Sequence, residues 1–428
     1  MPLAGSDAQS LLGPTRAGRA LKTYRVGGSV RDELLGQQVA DRDYVVVGAT
    51  PAAMRAQGFR PVGRDFPVFL HPETHEEYAL ARTERKTGRG HQGFTFHAAP
   101  GVTLEEDLAR RDLTINAMAR GADGALIDPF GGAEDLRAGV LRHIGPAFAE
   151  DPLRVLRVAR FAARFGFMVA PETEALMRSI AASGELATLT QERIWHELSR
   201  ALMAAQPSRF FTTLRRCGAL APLFPEIDVL FGPSRRGGGD DVLDAGIERL
   251  RTLDRAAAAG ASLPVRYAVL ASGLTPLAGA TRSGARLAAN ARLATAFSNR
   301  LKVPADYREL ARLTARYAAT VRRAAELGPA PLLDLLLATD ALRRPARLDA
   351  LVRASAAGQL PPASSAADVA GARLAAALAV IRGVDATALA ARGPKRDLPK
   401  RIRAARLRAL RAWLHATGAK RAPGTTRG

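Results

Sequence analysis

Two aspartates at alternate positions, Asp41 and Asp43, stand directly before the apolar run 45–47. Because alternate side chains of an extended strand share one face, both carboxylates are predicted to point the same way. Mg²⁺ is usually held by one or two carboxylates together with waters and substrate phosphates. The pair therefore predicts a magnesium site with room for a triphosphate and an attacking hydroxyl.

A glycine pair, Gly27 and Gly28, precedes these aspartates and is followed by Arg31. Residues without a Cβ atom let backbone N–H groups approach phosphate oxygens closely. A lone glycine pair is more often a simple turn, and an isolated Asp-x-Asp is common in turns and at solvated strand ends. Each part of the combination has a defined role in one reaction, so the combination favours catalysis over these structural interpretations.

A second group of charged residues lies within segment 104–118, whose apolar residues recur at a spacing that predicts a helix packed on a sheet. Arg110, Arg111 and Asp112 lie near the middle of this predicted helix. A guanidinium is a suitable phosphate clamp because its planar fork donates two hydrogen bonds at once. The alternative is a surface Arg-Asp pair without a ligand.

A third group begins where Pro152 follows Glu150 and Asp151, an arrangement typical of a helix N-terminus. Arginines recur at every third position after it and are predicted to form one broad polar side of the helix. These arginines are Arg154, Arg157 and Arg160. A helix side lined by arginines requires anions or other hydrogen-bond acceptors facing it.

A carboxylate three residues from a guanidinium, as in Asp151 and Arg154, can also discriminate between bases. Adenine and cytosine present an amine donor beside an unprotonated ring nitrogen, whereas guanine and uracil present a carbonyl beside a ring N–H. An aspartate accepting from the amine and an arginine donating to the ring nitrogen would take ATP and CTP and reject GTP and UTP. The alternative is an ordinary capped amphipathic helix with solvated arginines.

The charge of the whole chain favours a polyanionic partner. Its 428 residues contain 62 Lys and Arg against 41 Asp and Glu, a formal net charge of +21. A positive field of this size attracts and steers polyanions, and nucleic acid is the natural candidate. A GC-rich genome, which favours Arg and Ala codons, would account for part of the excess. The basic run from Lys395 to Arg411 is either a solvated helix face or a contact for RNA phosphates.

A single cysteine, Cys217, cannot form an internal disulfide and is compatible with a reducing cytoplasm. We expect it to be a structural residue at a helix end. The sequence contains no long apolar stretch, so it predicts neither a signal peptide nor a membrane span.

Hydrophobic periodicity predicts an α+β fold, with a mixed head followed by an all-helical remainder. Short strands bounded by Gly and Pro are predicted at residues 43–47, 66–70, 77–82 and 125–128. After Pro152 the periodicity becomes helical. The predicted divisions are a disordered leader or upstream-start artefact at 1–22, a head at 23–145, a helical neck at 146–230, a helical body at 231–355 and a basic helical tail at 356–428.

These three groups of residues together resemble the class II CCA-adding enzymes, the tRNA nucleotidyltransferases that build or repair the 3′ CCA end, and specifically their proteobacterial branch. The resemblance runs from Tyr24 to about Ile227 and is closest in segments 41–48, 62–72 and 78–86. It implies a polymerase β-like nucleotidyltransferase head with a five-stranded mixed sheet, followed by all-α neck, body and tail domains.

The resemblance also implies roles for particular residues. Asp41 and Asp43 would be the metal ligands, and Glu77 would support this carboxylate pair from a neighbouring strand. The residues implied to contact the triphosphate are Gly28, Arg31 and Arg111. The residues implied to bind the rest of the incoming nucleotide are Asp151 and Arg154, which pair with the base, and Arg157 and Arg160, which complete the site.

Many proteobacterial members of this family also carry an HD phosphohydrolase domain in the body, with a His-Asp pair and further histidines downstream. This chain has no histidine between His196 and His415, and the matching region, 265–276, reads VRYAVLASGLTP. Imidazole ligands for a transition metal cannot be assembled there, so we expect phosphatase and cyclic phosphodiesterase activities to be absent. The head histidines, at positions 71, 75, 91 and 97, are interpreted as solvated or RNA-proximal rather than zinc-binding.

The residues and the resemblance together predict Mg²⁺-dependent transfer of CMP and AMP units from CTP and ATP to the 3′ hydroxyl of tRNA, releasing pyrophosphate. The tRNA would be recognised through its phosphates and acceptor-stem shape rather than base sequence. We expect a cytoplasmic monomer, with a dimer as the alternative. Two competing functions are bacterial poly(A) polymerase, which shares the metal and arginine motifs, and a non-catalytic RNA-binding protein with an idle fold.

Overall fold

The computed structural model describes residues 21–39, 41–62, 68–86, 94–234, 243–274, 283–357, 364–391 and 393–418. The described residues fall into two compact units. The first contains the residues up to Glu197 together with Arg209–Leu223, and the second contains Leu198–Ser208 and the residues from Phe224 onward. The finer division into head, neck, body and tail stays a prediction. Most of the predicted leader lies outside the described residues, and the first strand already begins at Lys22.

The first unit is built on a mixed sheet. The described strands of this unit are β1 (Lys22–Val26), β2 (Asp43–Val47), β3 (Arg60–Val62), β4 (Val68–Leu70), β5 (Glu77–Leu80), β6 (Thr83–Lys86), β7 (Phe94–His97), β8 (Ala119–Arg120), β9 (Leu126–Ile127), β10 (Val140–Leu141) and β11 (Met168–Val169). Seven of them form one sheet in the order β3-β4-β5-β2-β1-β8-β9. In it β2 is antiparallel to β1 and parallel to β5. The mixed character is confirmed, whereas the implied count of five strands is wrong.

The centre of this sheet is buried on both faces. Val45 of β2 packs with Val26 and Leu108 on one face, while the next residue, Val46, packs with Met54 and Phe69 on the other. This alternation is the period-2 pattern of a strand covered on both sides. Replacing a fully buried leucine such as Leu108 by alanine would cost about 2–5 kcal/mol. The sheet is therefore a rigid base for residues at its edge.

The predicted strands match the structure, with shorter ends. The strand at 43–47 is confirmed as β2, and the described part of the strand at 66–70 is Val68–Leu70. The strand at 77–82 ends at Leu80, because the N–H of Arg82 donates to the Asp107 carboxylate instead of to a strand partner. The strand at 125–128 is reduced to Leu126–Ile127.

Nine helices belong wholly or partly to the described residues of the first unit. They are α1 (Gly28–Leu34), α2 (Pro51–Ala56), α3 (Leu104–Ala109), α4 (Gly132–Ala138), α5 (Leu153–Phe165), α6 (Pro171–Ala182), α7 (Gln191–Leu202), α8 (Ser208–Arg216) and α9 (Leu220–Leu223). The predicted helix start at Pro152 is confirmed, since Pro152 is the N-cap residue of α5. Cys217 is buried directly after α8, as expected for a structural cysteine.

The single helix predicted across 104–118 is wrong. A capping box between Thr103 and Glu106 begins α3, which ends at Ala109, and a separate 3₁₀ turn covers Thr114–Asn116. Between them the Asp112 carboxylate accepts the backbone N–H of Leu113, an alternative to helical hydrogen bonding. Because the helix breaks here, the neighbouring residues Arg111 and Asp112 form ion pairs with different partners. Arg111 pairs with Asp107, and Asp112 pairs with Arg157.

The second unit is helical apart from the short hairpin β12 (Pro233–Ser234) and β13 (Leu243–Asp244) in its described part. Its helices are α10 (Pro225–Asp228), α11 (Ala245–Ala258), α12 (Leu263–Ser272), α13 (Ser283–Arg300), α14 (Ala305–Arg322), α15 (Pro329–Ala338), α16 (Pro345–Ala356), α17 (Ser364–Arg382), α18 (Ala386–Ala390) and α19 (Leu398–Gly418). Helix α12 lies in the core, where the hydroxyls of Tyr267 and Ser298 are 2.7 Å apart. Among the helices that the structure describes, none has the length and apolar character needed to cross a bilayer.

Candidate active site

The predicted carboxylate pair lies at one end of the central strand. Asp43 is the first residue of β2, and Asp41 stands two residues before it; both reach solvent. Partial desolvation raises the pKa of Asp43, Arg111 opposes this increase, and the neighbouring Asp41 carboxylate adds to it. The two carboxylates are therefore close enough to repel each other, and a bound cation would relieve that repulsion.

Glu77 occupies the position predicted for it. In the parallel pairing of β2 with β5, Asp43 is the partner of Glu77. Partners in such a register share one face of the sheet, so the Glu77 carboxylate stands on the same side as that of Asp43. Its supporting role stays a prediction.

The glycine pair lies at the same end of the sheet. Val26, the last residue of β1, is paired with Asp43, and the glycines follow directly. Gly27 has a φ of +69°, and a Cβ atom there would lie 2.7 Å from Nη1 of Arg111. Gly28 begins α1, and a Cβ atom there would lie 3.4 Å from Nη2 of Arg31. The pair thus lets two guanidiniums approach the backbone. The stricter requirement falls on Gly27, whereas the family resemblance implied a triphosphate contact only for Gly28.

Asp107 positions the guanidinium of Arg111. The carboxylate is fully buried and accepts from Nη2 of Arg110 at 2.8 Å and from Nη2 of Arg111 at 3.2 Å. Burial alone would raise the pKa of Asp107, but the two arginines outweigh burial and hold the pKa below its usual range. The Nε of Arg111 is buried and has no hydrogen-bond partner among the described residues. A guanidinium with an unused donor beside the carboxylate pair fits a phosphate ligand.

Arg31 lies beneath the glycine pair. Only 3% of the residue is exposed, its Nε donates to Oδ1 of Asp32 at 2.9 Å, and its Nη1 donates to Oδ1 of Asn116. The guanidinium also lies over the rings of Phe161 and Phe165, with centroid distances of 5.3 and 4.9 Å. These partners fix Arg31 between α1 and α5, and its contact with a triphosphate stays a prediction.

Asp112 extends this network to Arg157. Its Oδ1 accepts from Nδ2 of Asn116 at 2.9 Å, and its Oδ2 accepts from Nε of Arg157 at 2.7 Å. Burial opposes ionisation, but Arg157 and Asn116 outweigh it and hold the pKa of Asp112 well below its usual range. Hydrogen bonds therefore run continuously from Arg31 through Asn116 and Asp112 to Arg157. This network connects the glycine pair to the arginine helix α5.

The two predicted base-pairing residues lie at the start of α5. Asp151 precedes the helix and accepts the N–H of Leu153 at 3.0 Å, and its carboxylate accepts from Nη2 of Arg193 at 2.9 Å. Arg154 is 9% exposed and donates from Nη2 to the carbonyl of Arg110 at 2.6 Å. A second donation, from Nη1 to the carbonyl of Arg111, spans 3.2 Å. The backbone carbonyls of Arg110 and Arg111 thus position the Arg154 guanidinium, which is predicted to recognise the base.

Arg160 forms the most deeply buried ion pair of the site. Its Nε lies 2.5 Å from Oε2 of Glu197, and the side chains of the two residues are 8% and 2% exposed. The acceptors that the arginine helix was expected to need are therefore supplied by the protein. The alternative interpretation, a helix with solvated arginines, is wrong for Arg154 and Arg160, which are buried.

Sequence reasoning missed Arg193 and Glu197, which hold Asp151 and Arg160 respectively. The two residues are four apart on α7 and so lie on one side of that helix. The available signal was this spacing of a cation and an anion on one helix, which does not identify their partners.

His71 has a local structural role. Its Nδ1 accepts the backbone N–H of Glu73 at 3.3 Å and that of Thr74 at 3.2 Å, in the turn that joins β4 and β5. His75, in the same turn, has a φ of +59°. His91 lies outside the described residues, and the interpretation of the head histidines as solvated or RNA-proximal stays a prediction.

A mixed sheet with two carboxylates at one strand end, facing guanidiniums across a glycine turn, defines a nucleotidyltransferase. The family model described as Poly A polymerase head domain matches residues 23–142. A second model, described as a probable RNA and SrmB-binding site of polymerase A, matches residues 166–231. The chain belongs to the family of multifunctional CCA proteins, the CCA tRNA nucleotidyltransferases.

This membership rests on a curated relative. The multifunctional CCA protein of Dechloromonas aromatica is 53% identical over 411 residues, which cover 93% of this chain and 98% of the relative. Two solved structures share the fold. The Bacillus stearothermophilus CCA-adding enzyme in complex with CTP has a TM-score of 0.66 at 23% identity and covers 94% of both chains. The Thermotoga maritima CCA-adding enzyme complexed with tRNA has a TM-score of 0.59 at 21% identity, covering 94% of this chain and 91% of that one.

The predicted fold class and the predicted family are thereby confirmed, and so is the predicted activity, addition of CCA to the 3′ end of tRNA. Poly(A) polymerase shares the head-domain family, but the relative that matches almost the whole chain is a CCA protein.

Proposed function

We propose that Asp41 and Asp43 hold Mg²⁺ for the transfer of CMP and AMP from CTP and ATP to the 3′ hydroxyl of tRNA, with release of pyrophosphate. The observation that carries this proposal is the pair of mutually repelling carboxylates that faces Arg111 at the end of β2. Two carboxylates leave most of an octahedral shell to water and phosphate oxygens, as Mg²⁺ prefers. When bound there, the metal lowers the pKa of the attacking hydroxyl and neutralises charge at the α-phosphate.

The triphosphate is bound by the guanidinium and the backbone that lie beside this pair. Arg111, fixed by Asp107, offers its unused Nε and a planar fork to phosphate oxygens. Gly27 and Gly28 allow the phosphates to approach the main chain. Arg31 contributes positive charge from below the glycine pair. Arg157 is held in position by its hydrogen bond to Asp112. These groups are fixed before substrate arrives, so little reorganisation is needed during the reaction.

The base is selected by Asp151 and Arg154. Asp151 accepts from the exocyclic amine of adenine or cytosine, and Arg154 donates to the adjacent ring nitrogen. Arg193 holds the first of these side chains, and the carbonyls of Arg110 and Arg111 hold the second. Guanine and uracil would present a carbonyl to the carboxylate and leave buried polar groups unpaired.

The test of the metal pair is incorporation by the double variant Asp41→Ala/Asp43→Ala. Purified protein is incubated with tRNA lacking its CCA end, labelled CTP and ATP, and Mg²⁺, and the products are sized. We expect the wild type to add three nucleotides and to require CTP, and the variant to add none while it still binds tRNA. Unchanged incorporation by the variant would refute the metal assignment. Long products made from ATP alone would instead indicate poly(A) synthesis.

We propose that the enzyme works in the cytoplasm. Cys217, the single cysteine, is a buried free thiol that cannot form an internal disulfide, which is compatible with a reducing cytoplasm. We propose a monomer, which light scattering of the purified chain distinguishes from a dimer. The absence of histidine between His196 and His415 supports the loss of HD phosphohydrolase activity, and hydrolysis of a cyclic nucleotide by the purified protein would contradict that proposal.

A further inference from the structure

The second unit contains a groove whose lining residues are not among the candidate site residues described above. It runs between α13 and α14, has a volume of about 470 Å³, and is lined by Ala288, Ala291, Arg292, Thr295, Ala296, Asn299, Arg312, Arg316 and Tyr317. The lining residues of α13 recur at intervals of three and four, so they form one side of that helix. We call this feature the α13–α14 groove.

The groove is strongly positive. Residues 283–322, which span α13 and α14, contain eight Lys or Arg and two Asp or Glu, a formal net charge of +6. Three of the arginines line the groove itself: Arg292, Arg312 and Arg316. A concave surface lined by one sign of charge concentrates the field and attracts a polyanion.

The arginines of the groove are partly preorganised. Glu309 accepts from Nε and Nη2 of Arg312, each at 2.8 Å, and so fixes the plane of that guanidinium. Nη1 of Arg316 donates to the carbonyl of Gly284 at 3.1 Å. Arg292 is exposed and forms no hydrogen bond or ion pair within the described part of the chain. Because the protein already holds the guanidiniums of Arg312 and Arg316, these two lose little conformational entropy when they bind phosphate.

The rest of the lining suits a nucleoside. Tyr317 is half-buried and offers an aromatic ring, and the alanines leave space for a planar group beside it. Bases of single-stranded or looped RNA bind by stacking on aromatic side chains and on arginine planes. An acidic peptide would satisfy the guanidiniums but would make no use of this stacking surface.

We propose that the α13–α14 groove binds one nucleoside of the tRNA substrate, with the flanking phosphates on Arg292, Arg312 and Arg316. The inference rests on the proposed function in that tRNA is the partner. The groove gives the enzyme a contact that strengthens RNA binding and uses none of the residues proposed to bind the incoming nucleotide. Its loss should therefore raise the KM for tRNA and leave the KM for CTP unchanged.

The test uses the full chain and the double variant Arg292→Gln/Arg316→Gln. Affinity for tRNA lacking CCA is measured without nucleotide by fluorescence anisotropy, between about 50 and 200 mM salt. We expect binding about tenfold weaker, and a salt-dependence slope smaller by about 1.4–1.8, for two lost phosphate contacts. The matched control is Arg323→Gln/Arg353→Gln, which removes the same charge from side chains that are 71% and 69% exposed outside the groove.

The outcomes separate the groove from general electrostatics. Equal losses in the groove and control variants, or wild-type affinity in the groove variant, would overturn the proposal. Ala296→Leu fills the groove without changing charge, and it should also weaken binding; unaltered affinity would overturn the placement of a nucleoside there. Binding is measured without nucleotide and so does not depend on catalysis. Absence of CCA addition by the wild type would contradict the proposed function, whereas unaltered RNA affinity of the groove variants would contradict the groove proposal.

Discussion

Nη2 of Arg193 lies 2.9 Å from Oδ2 and 3.3 Å from Oδ1 of Asp151. One guanidinium nitrogen therefore contacts both oxygens of the carboxylate proposed to accept from the base. Asp151 also accepts the N–H of Leu153 at 3.0 Å, so its rotamer is fixed from two directions. A carboxylate held in this way meets an incoming base in one orientation, and its positioning depends on a residue of a different helix.

We expect Arg193→Gln to reduce nucleotide selectivity. Without the ion pair, Asp151 can rotate, and the contact with the exocyclic amine weakens. Since about a fifth of each side chain is exposed, the loss should be about 1 kcal/mol, roughly a fivefold to tenfold rise in the KM for CTP and ATP. Steady-state kinetics with each of the four nucleotides checks this, and misincorporation of GMP and UMP should rise.

The matched control is Arg178→Gln, which breaks the ion pair of an arginine that is 57% exposed on α6. That pair lies on the same unit but contacts none of the proposed nucleotide residues. Equal changes in KM and misincorporation in the two variants would show that nucleotide selectivity does not depend on the ion pair between Arg193 and Asp151.

A comparison of the two glycines tests which of them the site requires. Gly27→Ala combines a φ of +69° with a Cβ atom 2.7 Å from Nη1 of Arg111, so it should displace that guanidinium. With a ψ of −126°, Gly27 lies outside the left-handed helical region, and the backbone strain alone is about 1–3 kcal/mol. Gly28→Ala meets its nearest atom, Nη2 of Arg31, at 3.4 Å, an ordinary contact. We expect CMP incorporation to fall by at least tenfold in Gly27→Ala and by much less in Gly28→Ala; the reverse order would contradict this placement of Arg111.

The sequence was sufficient for those parts of the site that depend on local pattern. The Asp41–Asp43 pair at the start of a strand and the helix that follows Pro152 both depend on neighbouring residues. The ion pairs could not be predicted in the same way. Asp151 and Arg193 are 42 residues apart, and Arg160 and Glu197 are 37 apart, so their pairing depends on how helices pack.

The identity of the acceptors that face the arginines of α5 could not be predicted for a related reason. A three-residue repeat of arginine on an amphipathic helix normally indicates a solvated side. Here carbonyl groups released by the break after α3 accept from Arg154, and Asp112 from the same segment accepts from Arg157. The break itself was hidden by apolar spacing that continued across it.

Asp112→Asn should lower stability and alter its pH dependence. The folded-state pKa of Asp112 is depressed, so its contribution is complete above the unfolded-state pKa of about 4 and declines as pH falls below it toward the folded-state pKa. Because Arg157 keeps a third of its side chain exposed, we expect a loss of about 2–3 kcal/mol at pH 7. Calorimetric Tm values across pH 3 to 7 check this, since the difference between the variant and the wild type should shrink at the acid end.

Glu197→Gln should strongly destabilise the protein. The change leaves the Arg160 guanidinium, 8% exposed, without a counter-charge, and breaking such a buried pair costs about 3–5 kcal/mol. If the penalty comes from the unpaired charge, Arg160→Met/Glu197→Leu should recover much of the loss in Tm, because both charges are then removed. CMP incorporation should stay low in the double variant, since Arg160 is proposed to complete the nucleotide site. Recovery of incorporation together with stability would show that Arg160 serves the fold alone.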